Sequence, residues 1–114
     1  MADLVVTDPN NVNLGVVPTS NVLTAGDRFA AEHGARYLLR INNGNAAPSL
    51  VVVDDPVSQA PAGSGTFVPD VDMTVVNATV RTMILDANRF RDANGWINFT
   101  AVPFATVSAE IYKL

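Results

Sequence analysis

The sequence predicts an all-β fold: a β-sandwich of about eight short antiparallel strands over residues 21–114, preceded by an extended N-terminal arm over residues 1–20. Three observations carry that expectation. The chain holds 17 Val and 9 Thr against 2 Glu and 1 Lys, and branched side chains suit a pleated surface, whereas helix formers other than Ala are scarce. Short apolar runs are separated by Gly, Pro, Asn and Asp signals at intervals of roughly 8 to 12 residues, the rhythm of a sandwich or barrel. Tyr37, Leu39 and Ile41 alternate against Arg36, Leu38 and Arg40, and Ile97, Phe99 and Ala101 repeat the same period of two.

The elements follow in order. In the arm, Asp8-Pro9-Asn10-Asn11 and Val16-Val17-Pro18-Thr19-Ser20 interrupt the apolar pairs every few residues, which rules out a long regular element. Strands are expected at 21–24, 28–32 and 35–42. A short helix competes within 27–40, because Phe29, His33 and Tyr37 recur every four residues, although Gly34 argues against extending it. Asn43-Gly44 reads as a turn, since both residues tolerate positive φ, and 49–54 packs Leu50, Val51, Val52 and Val53 together as a strand buried on both faces would. Residues 55–69 are too rich in Pro, Gly, Ser and Ala for helix or central strand and read as a long loop. Strands resume at 71–77, 80–86, 96–102 and 106–113, with Asp92-Ala93-Asn94-Gly95 as a hairpin turn before the third.

Size and charge narrow the function. With 114 residues, 48% hydrophobic and 16% charged, the chain supports one core, and a domain of this size buries roughly two thirds of its unfolded surface without staples. Zero Cys excludes thiol catalysis, cysteine zinc sites, iron–sulfur clusters and disulfides. A single His, His33, excludes a multi-histidine metal cage within one chain and forces any triad chemistry through that residue. A net charge of −4 has the wrong sign for non-specific phosphate contacts, so nucleic acid is not an expected partner. Met1-Ala2-Asp3-Leu4-Val5-Val6 carries an acidic residue where a secretory signal needs a cation, and no apolar run approaches a membrane span; the expectation is cytoplasmic synthesis and no membrane partner.

Few constellations could carry chemistry. Asp54, Asp55, Asp70 and Asp72 could converge on a hard cation, but edge and loop solvation explains them as well, and no EF-hand loop can be placed around Asp92 to Gly95. His33 has Glu32 and Asp27 nearby in sequence and no activated nucleophile beside it, so it reads as a turn histidine. Arg81, Arg89 and Arg91 with Phe90 and Trp96 could stack a base or sugar, against which Trp96 reads as a core or subunit-interface anchor. Asn77-Ala78-Thr79 and Asn98-Phe99-Thr100 match the glycosylation pattern by chance in an Asn- and Thr-rich chain. No catalytic residue, metal ligand or cofactor is expected. What stands out is the arm, where Val5, Val6, Val12, Leu14, Val16 and Val17 cannot pack on one another. They read as partner-binding residues, mobile in the free protein and ordered in an assembly.

Leu23-Thr24-Ala25-Gly26-Asp27-Arg28-Phe29, Gly34-Ala35-Arg36-Tyr37-Leu38-Leu39-Arg40-Ile41-Asn42-Asn43 and the stretch from Phe90-Arg91-Asp92-Ala93-Asn94-Gly95-Trp96 to Leu114 give residues 21–114 a strand and turn texture. That texture resembles small tailed-bacteriophage virion proteins, the capsid decoration or head-stabilising proteins often encoded close to the major capsid protein. The resemblance implies a β-sandwich or jelly-roll domain, usually trimeric, on the outer capsid surface, with an N-terminal arm gripping the major capsid protein. A phage head–tail joining or tail structural protein would share this texture. A carbohydrate-binding β-sandwich using Trp96, Tyr37 and Arg91 is the alternative from another class.

Overall fold

Alternation in sequence becomes alternation in burial. In a computed structural model, which describes residues 2–8, 19–56 and 71–114, Tyr37, Leu39, Ile41 and Asn43 are buried while the residues between them are not. The chain runs β1 (Ala2–Leu4), β2 (Val6–Thr7), β3 (Asn21–Val22), β4 (Asp27–Ala30), β5 (Arg36–Asn43), β6 (Ser49–Val53), β7 (Val71–Val75), β8 (Thr79–Asp86), α1 (Ala87–Phe90), β9 (Trp96–Val102) and β10 (Val107–Lys113). The protein is all-β, and each of the eight strands expected after residue 20 is present. Together with β1 and β2 they form two sheets, one ordered β1-β4-β9-β6-β7 and the other β2-β10-β5-β8, with β3 also on β10. The inner faces share one core, in which Phe29 of the first sheet lies 5.4 Å from Tyr37 of the second and 6.4 Å from Phe99, centroid to centroid. Tilted rings at these separations match the favoured geometry of aromatic pairs.

The structure corrects five expectations. The sheets are mixed, since β1 runs parallel to β4 and β2 parallel to β10. No helix forms within 27–40; β4 and β5 occupy that stretch, because Phe29 and Tyr37 bury more surface as inward strand residues than one short helical face would provide. β6 is buried on one face only, with Leu50 exposed on the other. Asn43-Gly44 is not a positive-φ turn: Asn43 ends β5 in full burial, and Gly44 starts a crossing to the other sheet. Asp92 to Gly95 is a turn with Gly95 at φ 90, but it joins α1 to β9 rather than two paired strands. The single turn α1 went unread because four residues show no period; Asp86 caps it by accepting the Asn88 N–H at 2.9 Å.

The arm needs a finer correction. Residues 2–7 lie on the sheets, with Leu4 and Val6 packed against the core while Val5 is exposed. Val12, Leu14, Val16 and Val17 fall outside the described residues, as does the body of the expected loop over 55–69. Asn21 fastens this segment: its Oδ1 accepts the Val5 N–H at 2.9 Å, and its Nδ2 donates to Val5 O at 3.2 Å and Ala109 O at 3.0 Å. Asn21→Ala should therefore cost about 1–3 kcal/mol by leaving those partners unmet. Urea denaturation at constant m-value measures the loss, and an unchanged midpoint would show that water replaces the side chain.

Candidate functional site

The connections between the two sheets sort by chemistry. At one end the chain crosses through 44–48, 76–78 and 103–106, and these twelve residues include no Asp, Glu, Lys or Arg. At the other end, the segments 31–35, 54–56 and 87–95 carry Glu32, Asp54, Asp55, Arg89, Arg91 and Asp92. The apolar surface is partitioned the opposite way. Of nine exposed large hydrophobic residues among those described, Val22, Leu50, Val76, Val80, Val102 and Phe104 lie at the uncharged end, with Val102 66% and Val22 77% exposed.

Neutral hydrogen bonds hold that end together. The Asn43 amide donates to Ala47 O and Val75 O, each at 2.9 Å, and its Oδ1 accepts the Asn45 N–H. Asn45 in turn donates to Ala105 O at 3.0 Å, and Ser49 Oγ donates to Pro103 O at 2.8 Å. Gly44 donates to Thr106 O, and a Cβ on Gly44 would stand 2.9 Å from that oxygen, so only glycine fits. Ala78 and Thr106 hold φ of 59° and 57° in two of these connections. Non-glycine residues in this region carry strain that surrounding contacts must overcome, as is common where a surface is held ready for a ligand.

The charged end uses up its groups internally. Arg89 Nε lies 2.6 Å from Asp55 Oδ2, and Arg91 Nε donates to Ala31 O at 2.8 Å. Asp92 Oδ1 accepts the N–H groups of Asn94 and Trp96, and Oδ2 accepts from Asn98 Nδ2. Desolvation pushes the Asp92 carboxyl up, but those bonds, led by Trp96 and joined by Gly95, outweigh it and hold the carboxyl below its ordinary range. A shallow pocket between the sheets is lined by Val6, Asp8, Ala31, Glu32, Tyr37 and Lys113. Its one cation, Lys113, is 2.7 Å from Glu32 and 3.8 Å from Asp8.

The constellations read from sequence separate in space. Tyr37 is buried with its hydroxyl accepting the Glu32 N–H, whereas Trp96 lies on the outer face of the other sheet beneath the Arg28 guanidinium, 3.9 Å from the ring centroid. The Trp96, Tyr37 and Arg91 set for a sugar is therefore not assembled. Phe90 belongs to the core, and Arg81 donates to Thr74 O on β7. Asp55 is buried against Arg89 while Asp72 is exposed on β7, Asp70 lies outside the described residues, and no group of three or more His, Cys, Asp or Glu able to hold a metal ion occurs among those described. His33 sits exposed in the turn before Gly34, whose φ is 83°. The uncharged end was not legible in advance, because strand periodicity does not say which loops share an end. Comparisons with family models, characterised proteins and solved structures return no match for this chain.

Proposed function

We propose that this chain is a structural virion protein of a tailed bacteriophage, a capsid decoration protein built as a β-sandwich of jelly-roll type that stabilises the head lattice by docking on the major capsid protein. The observation that carries the reading is the partition of the connections into an uncharged set flanked by exposed apolar residues at one end and a charged set at the other. Arg81, the charge nearest the apolar end on β8, is already bonded to Thr74 O. A protein lying on a lattice by one end gains most when that end has no ions to desolvate. Val5, 53% exposed, adds apolar surface for such a contact to cover, and the arm residues Val12, Leu14, Val16 and Val17 are proposed as further partner-binding residues. The work of such a protein is binding, so it needs no catalytic group and no cofactor.

The test is sedimentation with capsids that lack the protein. Charges placed by Val102→Asp and Phe104→Asp should weaken saturation about tenfold or more, since each buries an unpaired carboxylate in the contact. Arg91→Ala at the opposite end should leave binding unchanged. If the two aspartate variants remain folded and saturate capsids at the original concentration, docking through this end is wrong. Counting copies per virion separates decoration, with copies over the whole head, from a head–tail joining or tail role, with a single ring.

A further inference from the structure

β8 is the longest strand at a sheet edge, and its hydrogen-bonding parity is fixed by its neighbour. The Ala87 N–H donates to Ala35 O, which extends the β5–β8 register and assigns the odd residues of β8 to β5. The N–H and C=O groups of Val80, Thr82 and Ile84 therefore point away from the sheet, and among the described residues none of them has a partner. The side chains of the same three residues stand on the outer face, opposite Asn42, Arg40 and Leu38, and all three are exposed. Other edges are blunted: β1, β2 and β3 have two or three residues each, and Arg81 Nη1 covers Thr74 O on β7. β8 has no Pro or Lys along its eight residues, and its two charged side chains are turned away from the outward backbone groups: Arg81 donates to Thr74 O on β7, and Asp86 caps α1.

We infer that β8 pairs antiparallel with β8 of a second copy about a two-fold axis through Thr82, continuing the sheet across two molecules. A second copy is the occupant because the strand is self-complementary in one register. With Thr82 opposite Thr82, Val80 faces Ile84 twice, all three outward N–H and all three outward C=O groups find partners, and Arg81 faces Met83 instead of another arginine. Sliding by two residues would set the Asp86 carboxylate, already engaged as the α1 cap, opposite Val80. Apolar and Thr–Thr cross-strand pairs favour the first register. This inference shares Val80 with the proposed docking end but uses none of the residues tested there, and it replaces the trimer implied by the resemblance with a two-fold assembly.

Light scattering behind size-exclusion chromatography should give twice the 12.1 kDa chain mass, and Thr82→Pro, which removes one outward N–H while sparing the β5 ladder, should halve it. Thr82→Cys offers a second measurement in a chain with no Cys. Paired residues stand about 5.5 Å apart between Cα atoms, inside disulfide range. Oxidation should cross-link Thr82→Cys about tenfold or more faster than Thr74→Cys on the exposed face of β7, through raised effective concentration. A monomeric or trimeric mass, or equal cross-linking of the two variants, overturns the inference.

Discussion

Phe29→Ala is expected to cost about 3–5 kcal/mol, as aromatic truncations in a packed core do. Phe29 is fully buried on β4 and touches the Tyr37 ring from the opposite sheet and the Phe99 ring from its own. Removing it opens a void bounded by both sheets, and neither can close it without breaking its register with neighbours. Against a typical domain stability of about 5–15 kcal/mol, such a loss consumes a large share. The urea midpoint at constant m-value reports it. A shift equivalent to under about 1 kcal/mol would mean that the sheets settle into the gap, and that this aromatic cluster does not hold them at a fixed spacing.

Asn43→Asp should be comparably damaging and should depend on pH in an unusual sense. The buried amide now points two N–H donors at Ala47 O and Val75 O; a carboxylate would point negative oxygen at both. Breaking a buried polar pairing in this way costs about 3–5 kcal/mol when the charge has no counter-ion. Burial and the facing carbonyls would raise the carboxyl pKa in the folded state above its unfolded value. The folded state then binds more protons, so stability falls as pH rises through the ordinary carboxylate range and recovers on acidification. Denaturation at about pH 7 and about pH 3, the latter below the ordinary Asp value of about 3.9, distinguishes this from Asn43→Ala, whose loss of hydrogen bonds should vary little with pH. Equal cost at both values would show that the carboxylate escapes to solvent.

How much of this was legible depended on the range of the signal. Period-two alternation is local, so Tyr37-Leu39-Ile41 and Ile97-Phe99-Ala101 announced β5 and β9 within a residue or two of their ends. Parallel pairing of β1 and β2 is long-range: Val6 meets Ile111, and nothing near Val6 encodes that partner. Asn43 shows a chemical ambiguity, because an Asn-Gly pair serves a turn or a close crossing equally well, and the approach of Thr106 decided it. Trp96 was read as a core or interface anchor, but its stacking partner Arg28 comes from a strand far away in sequence. The apolar end and the open β8 edge are properties of topology, visible only once the loops are assigned to ends and the strands to places in a sheet.

The parallel alignment of β2 with β10 also sets how the molecule bears mechanical load. Tension between the segment entering β2 and the segment leaving β10 runs along the two strands in opposite senses, so it shears their pairing instead of peeling it. Peeling breaks hydrogen bonds one after another, whereas shear requires them to yield together. The Asn21 side chain, bound to Val5 on one flank and Ala109 on the other, adds its bonds to the same sheared set. A chain pulled through these two strands should resist as a clamp, and the same two strands joined antiparallel would open as a zipper.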